Sequence, residues 1–148
     1  MIMKKKKVLA VASKGGHFIQ LMRLKPVFDR CDTSYVTNQK RCDIKDLTCV
    51  VDANRNSKLL LILLFLQVFW VVLIKRPDVV ISTGAAPGYF AVLCGKLVGA
   101  KTIWLDSIAN AEELSLSGQQ AGKFADLWLT QWPTLAKENG PRFGGRVL

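Results

Sequence analysis

Short apolar runs separated by helix-forming segments recur along nearly the whole chain, and that alternation leaves few folds open. Val8–Ala12 lies between a block of lysines and Ser13-Lys14-Gly15-Gly16, and it reads as a buried parallel strand. Phe18, Leu21, Met22 and Leu24 then keep helical spacing as far as Pro26. Thr33–Thr37, with its β-branched and aromatic residues, reads as a second strand, and Cys49-Val50-Val51 as a short third. Asn54–Ser57 is turn-like, with Ser57 placed to cap a helix over Leu59–Ile74 that Lys75-Arg76-Pro77 ends. Val79–Ile81 is the next strand and Ser82-Thr83-Gly84 the loop after it. A helix beginning near Pro87 carries Tyr89–Val98 to Gly99. Strands follow at Thr102–Leu105 and Leu127–Thr130, with a short helix between them, and Val147-Leu148 closes the sequence. This order predicts an α/β fold: a Rossmann-like parallel sheet with helices on both faces, in a single domain over residues 1–148. Right-handed crossovers put the C-terminal ends of the strands on one edge, which is where ligands bind.

With 148 residues, half of them hydrophobic, the chain is long enough for a real core and too apolar for disorder. Its formal charge of +10 suits phosphates, nucleic acid or an anionic membrane. The basic residues are clustered: Lys4–Lys7, Lys75 and Arg76 after the apolar stretch, and Arg142 and Arg146 near the end. They flank an apolar helix rather than interleave with aromatics, and no nucleic-acid motif occurs, so no nucleic-acid partner is expected. The four cysteines show no zinc spacing, and they read as reduced cytosolic thiols, with Cys94 buried. Val8–Ala12 is too short for the apolar core of a signal peptide, so the chain is expected to stay on the cytoplasmic side.

Three loops on the ligand edge carry chemistry. Ser13-Lys14-Gly15-Gly16-His17 joins strand one to helix one. Its glycines allow close backbone approach, and the helix-start N–H groups suit a phosphate or diphosphate. It is neither a dinucleotide GxGxxG nor a P-loop, and a plain βα turn is the alternative. His17 is the only histidine; a lone histidine is more often a helix-start polar residue, and its place beside the glycines on the ligand edge makes it a candidate catalyst as well. Thr83-Gly84-Ala85-Ala86-Pro87-Gly88-Tyr89 has the same position in a later βα unit, so the two loops share a cleft. In the third loop Asp106 directly follows a strand. Either Asp106 or Ser107 is a helix cap, or Asp106 is a base or sugar-hydroxyl ligand.

The Leu59–Ile74 segment is apolar nearly all round, broken only by Gln67, whereas a sheet-covering helix needs one apolar face. At about 1.5 Å per residue it is roughly 24 Å long, short of the roughly 30 Å hydrocarbon core. Its flanks are Arg55, Lys58, Lys75 and Arg76. An interfacial helix fits this, with Leu63, Phe65, Leu66, Phe69 and Trp70 toward lipid. Burial against a partner subunit and a membrane-spanning helix are the alternatives.

The Ser13–His17 loop, Thr83–Tyr89 with Ala91–Lys96 after it, and Trp104–Ser117 resemble bacterial polysaccharide-biosynthesis proteins of the PssD type. The specific stretch is Asp106–Asn110 with Leu114–Gly118 and Phe124-Ala125-Asp126. That family is similar to the membrane-recruiting subunit of the eukaryotic transferase that adds the second GlcNAc to dolichol-linked oligosaccharide. The resemblance implies a GT-B fold split between two chains, with this chain as the N-terminal, acceptor-binding half and a partner subunit as the nucleotide-sugar half. The single-chain relative, which makes the lipid-linked peptidoglycan precursor, has a similar Gly-Gly-His, there associated with the acceptor diphosphate and catalysis. The implied reaction is inverting transfer of a hexosyl or glucuronosyl group. It runs from a UDP-sugar to a hydroxyl of a polyprenyl-diphosphate sugar, in exopolysaccharide or capsule synthesis at the cytoplasmic face of the membrane. No cofactor is implied, and no metal either, since the sequence has no Asp-x-Asp. The implied catalytic residues are His17 and Asp106. The implied acceptor-binding residues are Ser13, Gly15, Gly16, Thr83, Gly84, Gly88, Tyr89 and Asn110. No second αβ domain follows Leu148, which agrees with a split enzyme that is inactive alone. The competing expectation is a nonenzymatic anchor for a fully catalytic partner.

Overall fold

The structure, a computed structural model, describes residues 3–147. Seven parallel strands form one sheet in the order β3-β2-β1-β4-β5-β6-β7. They are β1 (Lys7–Ala12), β2 (Asp32–Thr37), β3 (Leu47–Cys49), β4 (Val79–Gly84), β5 (Lys101–Leu105), β6 (Leu127–Thr130) and β7 (Arg142–Phe143). The helices are α1 (Gly16–Met22), α2 (Lys25–Phe28), α3 (Lys58–Lys75), α4 (Ala85–Leu97) and α5 (Leu116–Ala121). The α/β, Rossmann-like expectation holds.

The period-2 alternation of β1 divides the core into two layers. Leu9 and Val11 face Leu64, Val68, Val71 and Val72 of α3, together with Ala91, Val92 and Cys94 of α4. Val8, Ala10 and Ala12 face Phe18 and Leu21 of α1 and Phe28 of α2. Both sides of β1 are therefore buried, which is why it reads as a continuous apolar run. The α1–α2 layer stops short of the far strands. On that face Ile81, Ile103, Leu127 and Leu129 line a depression of about 280 Å³ crossed by Gly144–Val147 and, among the described residues, not roofed by a helix.

Several boundaries differ from expectation. Pro26 lies in the first turn of α2, where a missing N–H costs nothing, so it starts a helix rather than only ending one. β3 begins earlier, at Leu47, and β4 continues through Thr83 and Gly84, which were expected in a loop. Ser57 occupies the N-cap position of α3, but its hydroxyl makes no capping bond. β7 was not anticipated: it is two residues long and exposed, too short for a periodic signal. Leu148 lies outside the described residues.

Candidate functional site

The strand order turns back on itself between β1 and β4. The helix after β1 goes to one face of the sheet and the helix after β4 to the other, so their entry loops separate and open a crevice. Ser13, Gly15, Gly16 and His17 lie on one side of it and Gly84 on the other. Gly15 has φ +80, a conformation natural to glycine, and its carbonyl accepts the N–H of Ile19 at 3.0 Å to start α1.

A register shift between Val11 and Ala12 leaves Thr83 out of the β1–β4 ladder. The released Thr83 carbonyl lies 3.1 Å from His17 Nδ1, and Thr83 Oγ1 donates to the His17 carbonyl at 2.6 Å. A carbonyl only accepts, so Nδ1 carries the proton and the neutral imidazole has its lone pair on Nε2. The ring lies against Gly84: a Cβ there would sit 2.4 Å from Nδ1, and the glycine has φ +144. Lys14 is tied down beside it. Its N–H donates to Asn38 Oδ1 and its ammonium to Asp52, which also accepts from Asn38 Nδ2.

Asp106 does not face the crevice. The residue is 1% exposed, and its carboxyl group accepts from Trp104 Nε1 (3.1 Å), Asn110 Nδ2 (3.3 Å), Ser115 N (3.0 Å) and Ser115 Oγ. With its acceptor sites filled, it shapes the 106–115 loop and has no free lone pair aimed at a ligand. Of the two expected catalytic residues, His17 lies at the crevice and Asp106 is buried in its own loop. Asn110 lies at the rim, half-buried, with its amide nitrogen committed to Asp106. Gly88 and Tyr89, expected at the ligand, belong to packing. A Cβ on Gly88 would fall 1.8 Å from Ser82 Oγ, and Tyr89 sits edge-on to Phe90 and Phe124. Thr83 is wholly buried and meets His17 rather than solvent. Among the described residues, no group of His, Cys, Asp and Glu is arranged to hold a metal.

α3 divides its apolar residues between two surfaces. Leu59, Ile62, Leu63, Leu66, Trp70 and Ile74 are exposed at helical spacing, with Trp70 at 64%. Phe65 and Phe69 are not on this stripe, contrary to expectation. They stack on each other at 6.0 Å, and Phe65 meets Phe90 of α4. The lone Gln67 is explained by its carbonyl oxygen, which accepts the N–H of Val51 at 2.7 Å.

A family model described as Oligosaccharide biosynthesis protein Alg14 like matches residues 33–146. The chain belongs to this family. The match begins after the Ser13–His17 loop, so it includes the Thr83–Gly84 side of the crevice and not the side that carries His17. UDP-N-acetylglucosamine transferase subunit alg14 of Schizosaccharomyces pombe is 39% identical over 67 residues, covering 40% of this chain and 31% of that protein. Subunit ALG14 of Mus musculus is 34% identical over 90 residues, covering 54% and 40%. The chain thus matches less than half the length of these relatives. Among solved structures, Acinetobacter baumannii MurG aligns with a TM-score of 0.76 at 13% identity, over 93% of this chain and 45% of its own. A UDP-N-acetylglucosamine 2-epimerase from Rickettsia bellii gives 0.74 at 14% identity, over 97% and 45%. At such identities the likeness is one of fold, that of GT-B proteins such as MurG.

Proposed function

We propose that this chain is the acceptor-binding, membrane-recruiting subunit of a two-component glycosyltransferase. The enzyme moves a sugar from a UDP-sugar to a hydroxyl of a polyprenyl-diphosphate-linked sugar. The observation that carries this reading is His17, held at the β1–β4 crevice with Nδ1–H on the Thr83 carbonyl and Nε2 open. In the reaction Nε2 takes the acceptor hydroxyl proton as the oxygen attacks the anomeric carbon, and the UDP diphosphate leaves with the bonding electrons. Backbone N–H groups at Gly15–Gly16 and at the start of α4 serve the acceptor diphosphate.

The partner subunit brings the donor half, a division supported by the relatives' description as subunits of a UDP-N-acetylglucosamine transferase. The unroofed face at Ile81, Ile103, Leu127 and Leu129 is a surface on which such a partner can pack. The exposed α3 stripe, between Arg55 and Lys58 at one end and Lys75 and Arg76 at the other, supports contact with an anionic membrane on its cytoplasmic side. Use of the product in bacterial exopolysaccharide or capsule assembly follows the PssD-type resemblance.

His17→Ala is expected to lower turnover of the reconstituted two-subunit enzyme by about 100- to 10,000-fold with the complex intact. The exposed α3 face by itself favours a second reading, a recruiter without chemistry. Turnover near wild type in His17→Ala would establish that reading instead.

A further inference from the structure

Two buried amides remain that neither the reaction nor the core requires. Gln20 lies on α1 one turn beyond His17 and is 8% exposed, and Gln131 follows β6 and is 0% exposed. Their hydrogen bonds run in one direction. The Ile108 N–H donates to Gln20 Oε1 at 3.2 Å, which turns Gln20 Nε2 toward Ser107 Oγ at 3.1 Å. Gln131 must then present Nε2 to the same Oε1, at 2.7 Å, and its other N–H reaches the Asp106 carbonyl at 3.0 Å. Gln131 Oε1 is left for the N–H of Val147, at 2.8 Å. Backbone groups at both ends allow only one role each, so both amides have a single consistent orientation.

α1 is only seven residues long and starts from two glycines, so its own helical propensity does not fix its rotation about its axis. Phe18 and Leu21 fix its depth on the sheet. The Thr83 hydroxyl holds its first turn through the His17 carbonyl, and Gln20 supplies a second directional tie one turn on, to the loop after β5. A small rotation of α1 would carry His17 off the Thr83 carbonyl.

We infer that Gln20 is a positioning residue: the Gln20–Gln131–Ser107 network holds α1 in the rotation that keeps His17 Nδ1 on Thr83 and its lone pair on Nε2. This rests on the reading of His17 as proton acceptor, but the imidazole can be observed without turnover. His17 is the only histidine, so the ring nitrogen NMR signals of the full chain report it alone. The wild-type chain is expected to show one neutral tautomer, protonated at Nδ1. Gln20→Leu, similar in volume, should give a mixture of tautomers and speed amide exchange at Ile108 by at least about tenfold. Gln20→Glu should restore the single tautomer, because the carboxylate accepts the same N–H groups and the Ser107 hydroxyl can turn to donate. If Gln20→Leu does not fold, Ser107→Ala, which removes one acceptor from the network, is read by the same criteria. The inference is overturned by a mixed tautomer in wild type, by an unchanged Nδ1–H tautomer in the folded variant, or by failure of Gln20→Glu to rescue. Failure of the catalytic reading is seen separately, in the turnover of His17→Ala.

Discussion

At the scale of single residues, Gly84 is constrained both by its backbone and by its neighbour. Its φ of +144 disfavours a side chain, and a Cβ would lie 2.4 Å from His17 Nδ1. Gly16, on the opposite loop, has no left-handed φ and open space where its Cβ would be. Gly84→Ala is therefore expected to cost about 1–3 kcal/mol and to displace the imidazole. Gly16→Ala should stay within about 0.5 kcal/mol. Urea denaturation of the two variants tests this, and equal costs would refute it. Both glycines were legible as a loop signature, but the difference between them was not. It arises from a ring contributed by a residue 67 positions away, for which the local sequence carries no mark.

At the scale of elements, α3 is where sequence periodicity gave least guidance. A helix apolar all round has no preferred face, so its pattern alone does not separate lipid-facing from packed residues. The packing of α4 makes the choice by taking up Phe65 and Phe69 and leaving Leu66 and Trp70 exposed, at 54% and 64%. The double substitution of Leu66 and Trp70 to Ser is expected to release the chain from phosphatidylserine-containing vesicles, with the urea midpoint nearly unchanged. Phe65→Ser should leave a cavity and cost about 2 kcal/mol or more. Vesicle sedimentation of the folded double variant at the wild-type level would show that the stripe meets protein rather than lipid. The strands were easier to read, because a short apolar run between charge and glycine, buried on both sides, has few other uses. The end of β4 is hidden in the sequence because Ser82-Thr83-Gly84 looks like a loop, while its backbone still pairs with β1 around the bulge.

At the scale of the whole molecule, the formal charge of +10 makes each well-partnered carboxylate matter to acid stability. Asp126 accepts from Lys96 Nζ and from the N–H and hydroxyl of Thr102, joining the end of α4 to the start of β5 beside β6. The Lys96 hydrogen bond first, then the Thr102 backbone bond, holds its carboxyl down at about 2, below its ordinary 3.8. A depressed folded-state value stabilises fully above the ordinary carboxylate range and is lost as pH falls toward 2. The melting temperature of Asp126→Asn should thus lie below wild type at pH 5–7 and converge with it as pH falls from about 4 to 2. A gap that stays constant across that range would show that the carboxylate charge contributes nothing. What the sequence by itself determined was the parallel α/β architecture, the sheet edge that carries the glycine loops and the sole histidine, and the unusual helix. These follow from periodicity, punctuation and composition, which are properties of neighbouring residues. Only the tertiary structure decided that His17 meets the Thr83 carbonyl, that Asp106 is consumed by its own loop, and which face of α3 stays bare. Each of these depends on partners from distant segments, and a hydrogen-bond acceptor or a packed ring is assigned only when the folded chain brings those segments together.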